Sequence, residues 1–205
     1  MRKIFLCSSF SDVAPLFNNF VMGDLRGNVV TFIPTASLTE KVRFYVKAGR
    51  KALEKMGCVI DELDVSTATG EDVEAKLRAN DLIYITGGNT FFLLQELQKS
   101  GADKIIKEQI SSGKIYVGES AGAMILSPYL EYATLMDSTE YALELTSFSG
   151  LGVVDFYTVP HHTNFPFIRV VEEILSKYQD ALDLCPISNS QAICVENESV
   201  RVQSM

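Results

Sequence analysis

Stretches of strand-forming residues alternate with helical patterns along the first 126 residues of the chain. Each strand-like stretch is a short apolar run, which is typical of a strand buried on both faces. The predicted strands comprise residues 3–9, 28–37, 58–65, 81–88 and 114–120. Strands that alternate with helices at this spacing favour a mostly parallel sheet with helices on both sides. We therefore expect an α/β fold with three layers.

Helix signals occupy the segments that follow these strands. Ser37 and Glu40 form a capping box, which predicts a long helix from Ser37 to about Lys55. The remaining expected elements are helices over 70–78, 89–100, 102–112 and from 121 onward, a strand over 156–162, a helix over 165–179 and a hairpin formed by 191–197 and 199–203. No repeat or polar linker divides the chain, so we expect one domain, residues 1–205.

Charge and hydropathy exclude several classes of partner. A net charge of −8 without a local cluster of Lys or Arg argues against nucleic acid and anionic lipid. The apolar run near the N-terminus is too short for the core of a signal peptide, and no later stretch could span a membrane. The four cysteines lie far apart and lack metal-ligand spacing, so we interpret them as reduced thiols. We therefore expect a cytoplasmic protein, and a homodimer is one assembly that we consider.

A serine lies in the short motif GESAG, residues 118–122, where a predicted strand meets a predicted helix. A sharp turn at this place exposes the Ser120 hydroxyl, and small neighbours such as Gly118 and Gly122 let the strand and helix approach closely. The turn also leaves the backbone N–H of Ala121 free at the start of the helix. Because a structural turn of small residues would look similar, the motif alone does not settle whether Ser120 is a nucleophile.

A second turn, with two glycines, follows the strand at 81–88. Gly87 and Gly88 allow a close approach of the backbone, and Asn89 is placed to cap the next helix. A neighbouring loop N–H is what the second half of an oxyanion hole requires. We therefore predict that Gly88 and Ala121 together form such a hole. A plain strand-to-helix turn is the alternative.

A serine nucleophile also needs a general base that accepts its proton and a group that orients this base, and the chain has few candidates for either. The only histidines, His161 and His162, are adjacent, and neighbouring side chains of an extended segment point to opposite sides. Asp137 and Asp155 both lie between Ser120 and His161 in the chain, and chain order does not choose between them. Two further carboxylates, Glu119 and Glu140, are interpreted as solvated or structural.

Three segments together resemble peptidase family S51, the family of dipeptidase E (aspartyl dipeptidase) and cyanophycinase. They are GESAGA after one strand, GGNTF after the preceding strand and PHHTN downstream. The resemblance implies a flavodoxin-like α/β sheet similar to that of the class I glutamine amidotransferases. It also implies a nucleophile at Ser120, selects His161 over His162, and requires no metal or organic cofactor.

The same resemblance implies a class of substrate, and it also shows where this sequence differs from the family's pattern. The resemblance implies peptides with an N-terminal aspartyl residue as substrates, and binding of the aspartyl carboxylate would need a cation. Arg169 is the only cation near PHHTN that could bind it. Asn89 is a further candidate for substrate binding. Asp137 is the nearest match to the family's aspartate. Members also carry a late glutamate where this chain has Asn189, within CPISNSQAICV. Asp137, Asp155 and Asn189 therefore stay open as the third member of the triad.

Three functions follow as hypotheses. The first is a serine peptidase that hydrolyses short peptides, including dipeptides with N-terminal Asp, with Ser120 as nucleophile, His161 as base and Asp137 as the residue that orients His161. The second is a catalytically weak or inactive relative that binds a small amino-acid-like ligand, because Asn189 does not supply the charge of a carboxylate. The third is an esterase of the α/β-hydrolase class, which shares the serine turn but usually has a longer chain.

Overall fold

A computed structural model describes residues 2–205, and its centre is a sheet of seven strands. These strands are β1 (Lys3–Cys7), β2 (Val29–Ile33), β3 (Val59–Glu62), β4 (Leu82–Ile85), β5 (Ile115–Glu119), β8 (Gln191–Glu196) and β9 (Ser199–Ser204). The spatial order is β3-β2-β4-β5-β1-β8-β9. The first five run parallel, and β8 and β9 add an antiparallel hairpin beside β1. The expected mostly parallel α/β sheet is confirmed.

The strand order explains the likeness to flavodoxin. The flavodoxin-like order is 2-1-3-4-5. Here the parallel strands follow this order when the count starts at β2, and β1 takes the place of the fifth strand. As a result the carboxyl ends of β1, β4 and β5 lie side by side, which is the edge where ligands bind in open α/β sheets.

Seven helices accompany the strands among residues 2–205. They are α1 (Phe10–Val21), α2 (Phe44–Lys55), α3 (Gly70–Ala79), α4 (Thr90–Ser100), α5 (Ala102–Ser111), α6 (Ala121–Met124) and α7 (Ile168–Tyr178). Short 3-10 helices add Thr35–Thr39, Glu131–Leu135 and Thr139–Tyr141. Two further strands, β6 (Tyr157–Val159) and β7 (Leu184–Pro186), pair in parallel as a separate small sheet. No helix of residues 2–205 has the length and apolar character needed to cross a membrane.

Alternation along the buried strands sorts their side chains into two cores. In β1, Ile4 and Leu6 join the core covered by α3 to α7, whereas Phe5 and Cys7 join the core covered by α1 and α2. Successive side chains of a strand point to opposite faces, so a strand buried on both faces must be apolar throughout. This packing gives the three layers that the sequence predicts.

Two differences from the expected elements concern helices on the side of the sheet covered by α1 and α2. The helix predicted from Ser37 begins instead at Phe44, because the Ser37 hydroxyl donates to the carbonyl of Pro34 at 2.7 Å and closes a 3-10 turn. Helix α1 was not predicted, since Pro15 interrupts the helical signal. Its apolar face nevertheless has helical spacing, through Phe10, Val13, Phe17 and Phe20.

Candidate active site

Ser120 lies on the tight turn between β5 and α6. Its backbone has φ +49° and ψ −107°, a conformation that residues other than glycine rarely adopt. The turn is held on both sides: the Ser120 N–H donates to the carbonyl of Cys7 at 2.8 Å, and the Ser120 carbonyl accepts from the N–H of Ala123 at 2.8 Å. Strain of this kind, fixed by its surroundings, is common at functional sites.

Two glycines make the turn sterically feasible. A Cβ atom on Gly118 would lie 2.3 Å from the carbonyl oxygen of Gly122. A Cβ atom on Gly122 would lie 2.3 Å from the carbonyl oxygen of Ile85 in β4. Both distances are far below van der Waals contact, so the motif spacing reflects the close packing of α6 against β4 and β5.

The imidazole of His161 joins Ser120 to Asn189. Its Nε2 lies 2.9 Å from Ser120 Oγ, and its Nδ1 lies 2.9 Å from Asn189 Oδ1. Because the amide oxygen can only accept, Nδ1 carries the proton and Nε2 presents a lone pair to the serine hydroxyl. Burial lowers the pKa of His161, and the hydrogen bond to Asn189 opposes part of that shift. The imidazole is therefore neutral at pH 7 and able to accept a proton.

Residues that the sequence did not single out fix His161 and Asn189. The His161 N–H donates to Ser8 Oγ at 2.9 Å, and the Phe167 ring stacks on the imidazole with centroids 4.4 Å apart. The Asn189 N–H donates to Asn164 Oδ1 at 2.8 Å. Asn164 belongs to the PHHTN segment and could have been noticed there, whereas Ser8 and Phe167 carry no sequence signal of their own.

The aspartates considered as orienting groups lie elsewhere. Asp137 Oδ2 accepts from the Thr90 N–H at 2.9 Å, and within residues 2–205 its carboxylate makes no hydrogen bond to His161. Asp137 does line the cavity in front of Ser120, and burial raises its pKa to about 6. Asp155 is exposed and lines a different depression, beside Arg2. The position next to Nδ1 is taken by Asn189.

The two substrate-binding candidates lie outside the cavity lining. Asn89 caps α4 by accepting from the Phe92 N–H at 2.8 Å, and its Nδ2 donates to the Ser138 carbonyl at 2.8 Å. Its expected capping role and the end of α4 at Gly101 are confirmed. Arg169 is exposed on the first turn of α7. His162, the other histidine, uses its N–H to pair with the carbonyl of Ile187.

The two backbone N–H groups predicted to form an oxyanion hole, those of Gly88 and Ala121, lie on the wall of the cavity or next to Ser120 in the chain. Ala121 is the first residue of α6, so its N–H has no intrahelical acceptor. The N–H of Gly88 donates to no acceptor among residues 2–205. Gly88 has φ +133°, and a Cβ atom there would lie 2.2 Å from the carbonyl carbon of Ala36. Only glycine fits this position, which lies on the wall of the same cavity.

The cavity itself has a volume of about 420 Å³ and opens at the carboxyl ends of β1, β4 and β5. Ser120, His161 and Asn189 lie on one part of its wall. Phe44 and Phe165, both largely exposed, lie on another part. No group of three His, Cys, Asp or Glu side chains in residues 2–205 is arranged to hold a metal ion.

A buried carboxylate directly precedes the serine. Glu119 is only 2% exposed, and its oxygens accept from the Phe10 N–H at 2.9 Å and the Tyr84 hydroxyl at 2.8 Å. Burial raises the pKa of Glu119 to about 7, although these donors oppose the rise. Glu119 therefore connects the serine strand to the start of α1 and to β4. It is structural rather than solvated.

The raised pKa of Glu119 predicts a pH-dependent stability. A carboxyl whose pKa is higher in the folded state binds its proton more tightly there, so its contribution is favourable below the unfolded pKa of about 4.5 and is lost as pH rises through about 7. We expect the unfolding free energy of the wild type, relative to Glu119→Gln, to fall by about 3 kcal/mol between pH 4 and pH 8. Denaturant titrations at several pH values measure this difference. A constant difference would contradict it.

A serine on a strand-to-helix turn whose hydroxyl lies 2.9 Å from an imidazole is the arrangement typical of serine hydrolases. Comparison with known families is more specific, because the model of peptidase family S51 matches residues 4–203. The chain belongs to peptidase family S51 and is a serine-type peptidase. The family resemblance of the three sequence segments is thereby confirmed.

Individual relatives agree with this assignment. An uncharacterized peptidase of Listeria innocua is 54% identical over 200 residues, which cover 98% of this chain and 95% of the relative. A peptidase E of Shewanella amazonensis is 34% identical over 134 residues, covering 65% of this chain and 54% of the relative. A crystal structure from Listeria monocytogenes EGD-e, ascribed to peptidase E, has a TM-score of 0.96 at 50% identity and covers 100% of this chain and 99% of that one.

Proposed function

We propose that this peptidase hydrolyses short peptides with Ser120 as nucleophile, His161 as base and Asn189 as orienting group. The observation that carries the proposal is the continuous hydrogen-bonded series from Ser120 Oγ through the imidazole to Asn189 Oδ1, with both distances 2.9 Å. A nucleophile within hydrogen-bond reach of a base, itself oriented by a third group, is the general signature of covalent catalysis by serine. The neutral state of His161, favoured by its burial, supports the same roles.

The proposed reaction has two halves. Ser120 Oγ attacks the scissile carbonyl carbon while its proton passes to His161 Nε2. The carbonyl oxygen becomes an oxyanion, for which the N–H groups of Gly88 and Ala121 are the proposed donors. The imidazolium then protonates the leaving amine as the C–N bond breaks and an acyl-enzyme forms. Water, deprotonated by the same imidazole, hydrolyses the ester and restores Ser120.

Asn189 in place of a carboxylate has a measurable consequence. An amide orients the imidazole but cannot stabilise imidazolium with a full charge. In Asn189→Asp we expect the adjacent negative charge to raise the pKa of His161, which moves the acidic limb of the kcat/KM profile upward by about one pH unit or more. The profile is measured from pH 5 to 9.

Asn189→Ala provides the comparison for that experiment. It removes the orienting acceptor without adding charge, so we expect a lower kcat/KM without an upward shift of the acidic limb. An Asn189→Asp profile that coincides with that of the wild type would argue against a role for Asn189 beside His161.

The size of the cavity favours short substrates. A volume of about 420 Å³ accommodates a few residues and lies within the range of small-ligand sites. Dipeptides with N-terminal Asp are one candidate by family resemblance. The cation expected to bind their side chain, Arg169, lies outside the cavity lining, and no Lys or Arg of residues 2–205 takes its place there.

Hydrolysis of a small panel tests the function. The panel contains Asp-Leu, isoaspartyl-Leu, Leu-Leu, Ala-Ala and a simple ester, and product is followed together with the thermal shift that each compound causes. We expect turnover of at least one peptide. A saturable thermal shift without any turnover would favour the ligand-binding relative, because Asn189 lacks the charge of a triad carboxylate. Turnover of the ester alone would favour an esterase.

A further inference from the structure

Within residues 2–205, the cavity in front of Ser120 is lined by several carboxylates and by no Lys or Arg side chain. Asp12, Glu40, Glu119 and Asp137 all contribute to its wall, and none of the Lys or Arg side chains of residues 2–205 does. Glu119 is buried and already accepts two hydrogen bonds. The other three therefore determine the charge that a substrate meets in this cavity.

These three carboxylates are not neutralised by the protein. Ion pairs are common elsewhere on the chain, yet none of those formed among residues 2–205 includes Asp12, Glu40 or Asp137. Among residues 2–205, Glu40 accepts a hydrogen bond from the neutral Tyr45 hydroxyl, at 2.6 Å, and Asp137 accepts from Thr90, so neither hydrogen-bond partner is charged. Their negative charges thus remain available to a bound group.

Cations that follow Glu40 in the chain do not turn toward the cavity. Lys41, Arg43 and Lys47 line a separate depression of about 720 Å³ on the other side of the start of α2. Phe44 borders both depressions. Charge is therefore separated across Phe44, with carboxylates on the side of Ser120 and cations on the other.

Asp137 is the carboxylate whose environment responds most to a bound cation. It is less exposed than Asp12 and Glu40, burial is the main reason why its pKa is raised, and the nearby charge of Glu40 raises that pKa further. A positive charge that binds near both carboxylates relieves their mutual repulsion, and the relief is larger for Asp137, which is less exposed than Glu40. A bound carboxylate would instead add to the repulsion.

Resting on the proposed function, we propose that the cavity selects peptides by a primary ammonium group, held by Asp137 and Glu40, and discriminates against an aspartyl side chain. The ammonium is either the free α-amine of the peptide or the side chain of a lysine, and both present the same chemistry. Phe44 and Phe165, at 73% and 89% exposure, border the cavity and give apolar surface for the rest of the peptide. Charge selects the substrate, and apolar contact adds affinity.

The test compares peptides that differ in one charge. Leu-Leu carries the α-ammonium, N-acetyl-Leu-Leu lacks it, N-acetyl-Lys-Leu carries only the side-chain ammonium, and Asp-Leu adds a carboxylate. At pH 7, where the α-amine is mostly protonated, we expect one or both ammonium-bearing peptides to exceed N-acetyl-Leu-Leu and Asp-Leu in kcat/KM by about tenfold or more, the equivalent of one modest charge interaction. The preferred ammonium peptide identifies the source. Asp-Leu as the best substrate, or no effect of acetylation in either peptide series, would overturn the proposal.

Variants attribute the preference to particular carboxylates. Asp137→Asn keeps an oxygen that can accept from Thr90, and Glu40→Gln changes an exposed side chain, so both are expected to fold. Each should raise KM for the preferred peptide about tenfold, with little change in kcat, and should weaken the dependence of KM on salt. Glu140→Gln is the matched control, because Glu140 is exposed and outside the cavity. Equal effects in all three variants would overturn the assignment.

Labelling of Ser120 separates this proposal from the proposed function. A neutral fluorophosphonate reacts with an activated serine and carries no ammonium, so wild type, Asp137→Asn and Glu40→Gln should all be labelled at similar rates. Normal labelling without ammonium preference overturns only the substrate proposal. Absence of labelling in folded wild type overturns the proposed function, and the substrate proposal with it.

Discussion

Replacement of Ser120 by alanine is expected to lower kcat/KM for peptide hydrolysis by roughly 10⁴- to 10⁶-fold, by analogy with other serine peptidases. The hydroxyl is the atom proposed to attack the substrate, and it lies 2.9 Å from the base His161. Because serine and histidine act as one unit, His161→Ala should have a loss of similar size. The double variant should be little worse than either single variant. The measurement is kcat/KM for the best peptide of the panel.

Two further variants serve as controls for that experiment. Ser111→Ala removes an exposed hydroxyl that donates to the Lys107 carbonyl at 2.8 Å, far from the cavity lining, and should retain full activity. Ser120→Gly should be inactive but at least as stable as the wild type, because glycine accepts φ +49° without strain. Hydrolysis that survives in Ser120→Ala, or losses that multiply in the double variant, would show that Ser120 and His161 do not act together.

A methyl group at Gly122 is expected to destabilise the fold by about 3 kcal/mol or more and to abolish measurable activity. The added Cβ atom would lie 2.3 Å from the carbonyl oxygen of Ile85, which belongs to the backbone of β4 and cannot move aside as a side chain could. The turn is further fixed by the Tyr116 hydroxyl, which donates to the Gly122 carbonyl at 2.6 Å. Displacing α6 would thus move both Ser120 and the N–H of Ala121. Chemical denaturation and peptide hydrolysis measure the two effects.

Gly70→Ala is the matched control for Gly122→Ala. Gly70 begins α3, and a Cβ atom there would meet no heavy atom within 4 Å. Alanine also favours the helix, so this variant should be as stable as the wild type or slightly more stable. Gly118→Ala should behave like Gly122→Ala, because its Cβ atom would lie 2.3 Å from the Gly122 carbonyl oxygen. If Gly122→Ala proved as stable as Gly70→Ala, that result would contradict the close approach of α6 to β4.

The regular part of the fold could be predicted because its signals are local. Short apolar runs identified the five parallel strands, and Asn89 and Gly101 correctly delimited α4. The start of α2 could not be predicted, because Ser37 forms a buried 3-10 turn instead of a helix cap. That turn is fixed by tertiary contact, since the Ala36 carbonyl accepts from the Asn89 N–H at 2.8 Å.

Two of the three residues in the hydrogen-bonded series of the candidate site could be predicted from the sequence. Ser120 and His161 were selected from their motifs, and the structure brings them within hydrogen-bond distance. The third position was assigned to Asp137 with Asp155 and Asn189 as alternatives, whereas the structure places Asn189 beside His161 and Asp137 beside Thr90. Nothing in the spacing along the chain places Asn189 next to Nδ1, because that contact depends on how β7 and the turn after it lie beside β6.

The sequence by itself determined the sheet, the serine turn and the family, because apolar periodicity and small residues at a turn act over a few neighbouring positions. Only the tertiary structure decided which residues share the cavity. It gave Asn189 the place beside His161, left Arg169 outside, and gathered Asp12, Glu40 and Asp137 without a cation. These residues are distant in the chain, and their proximity follows from the packing of the segments after β1, β2 and β5 at one edge of the sheet.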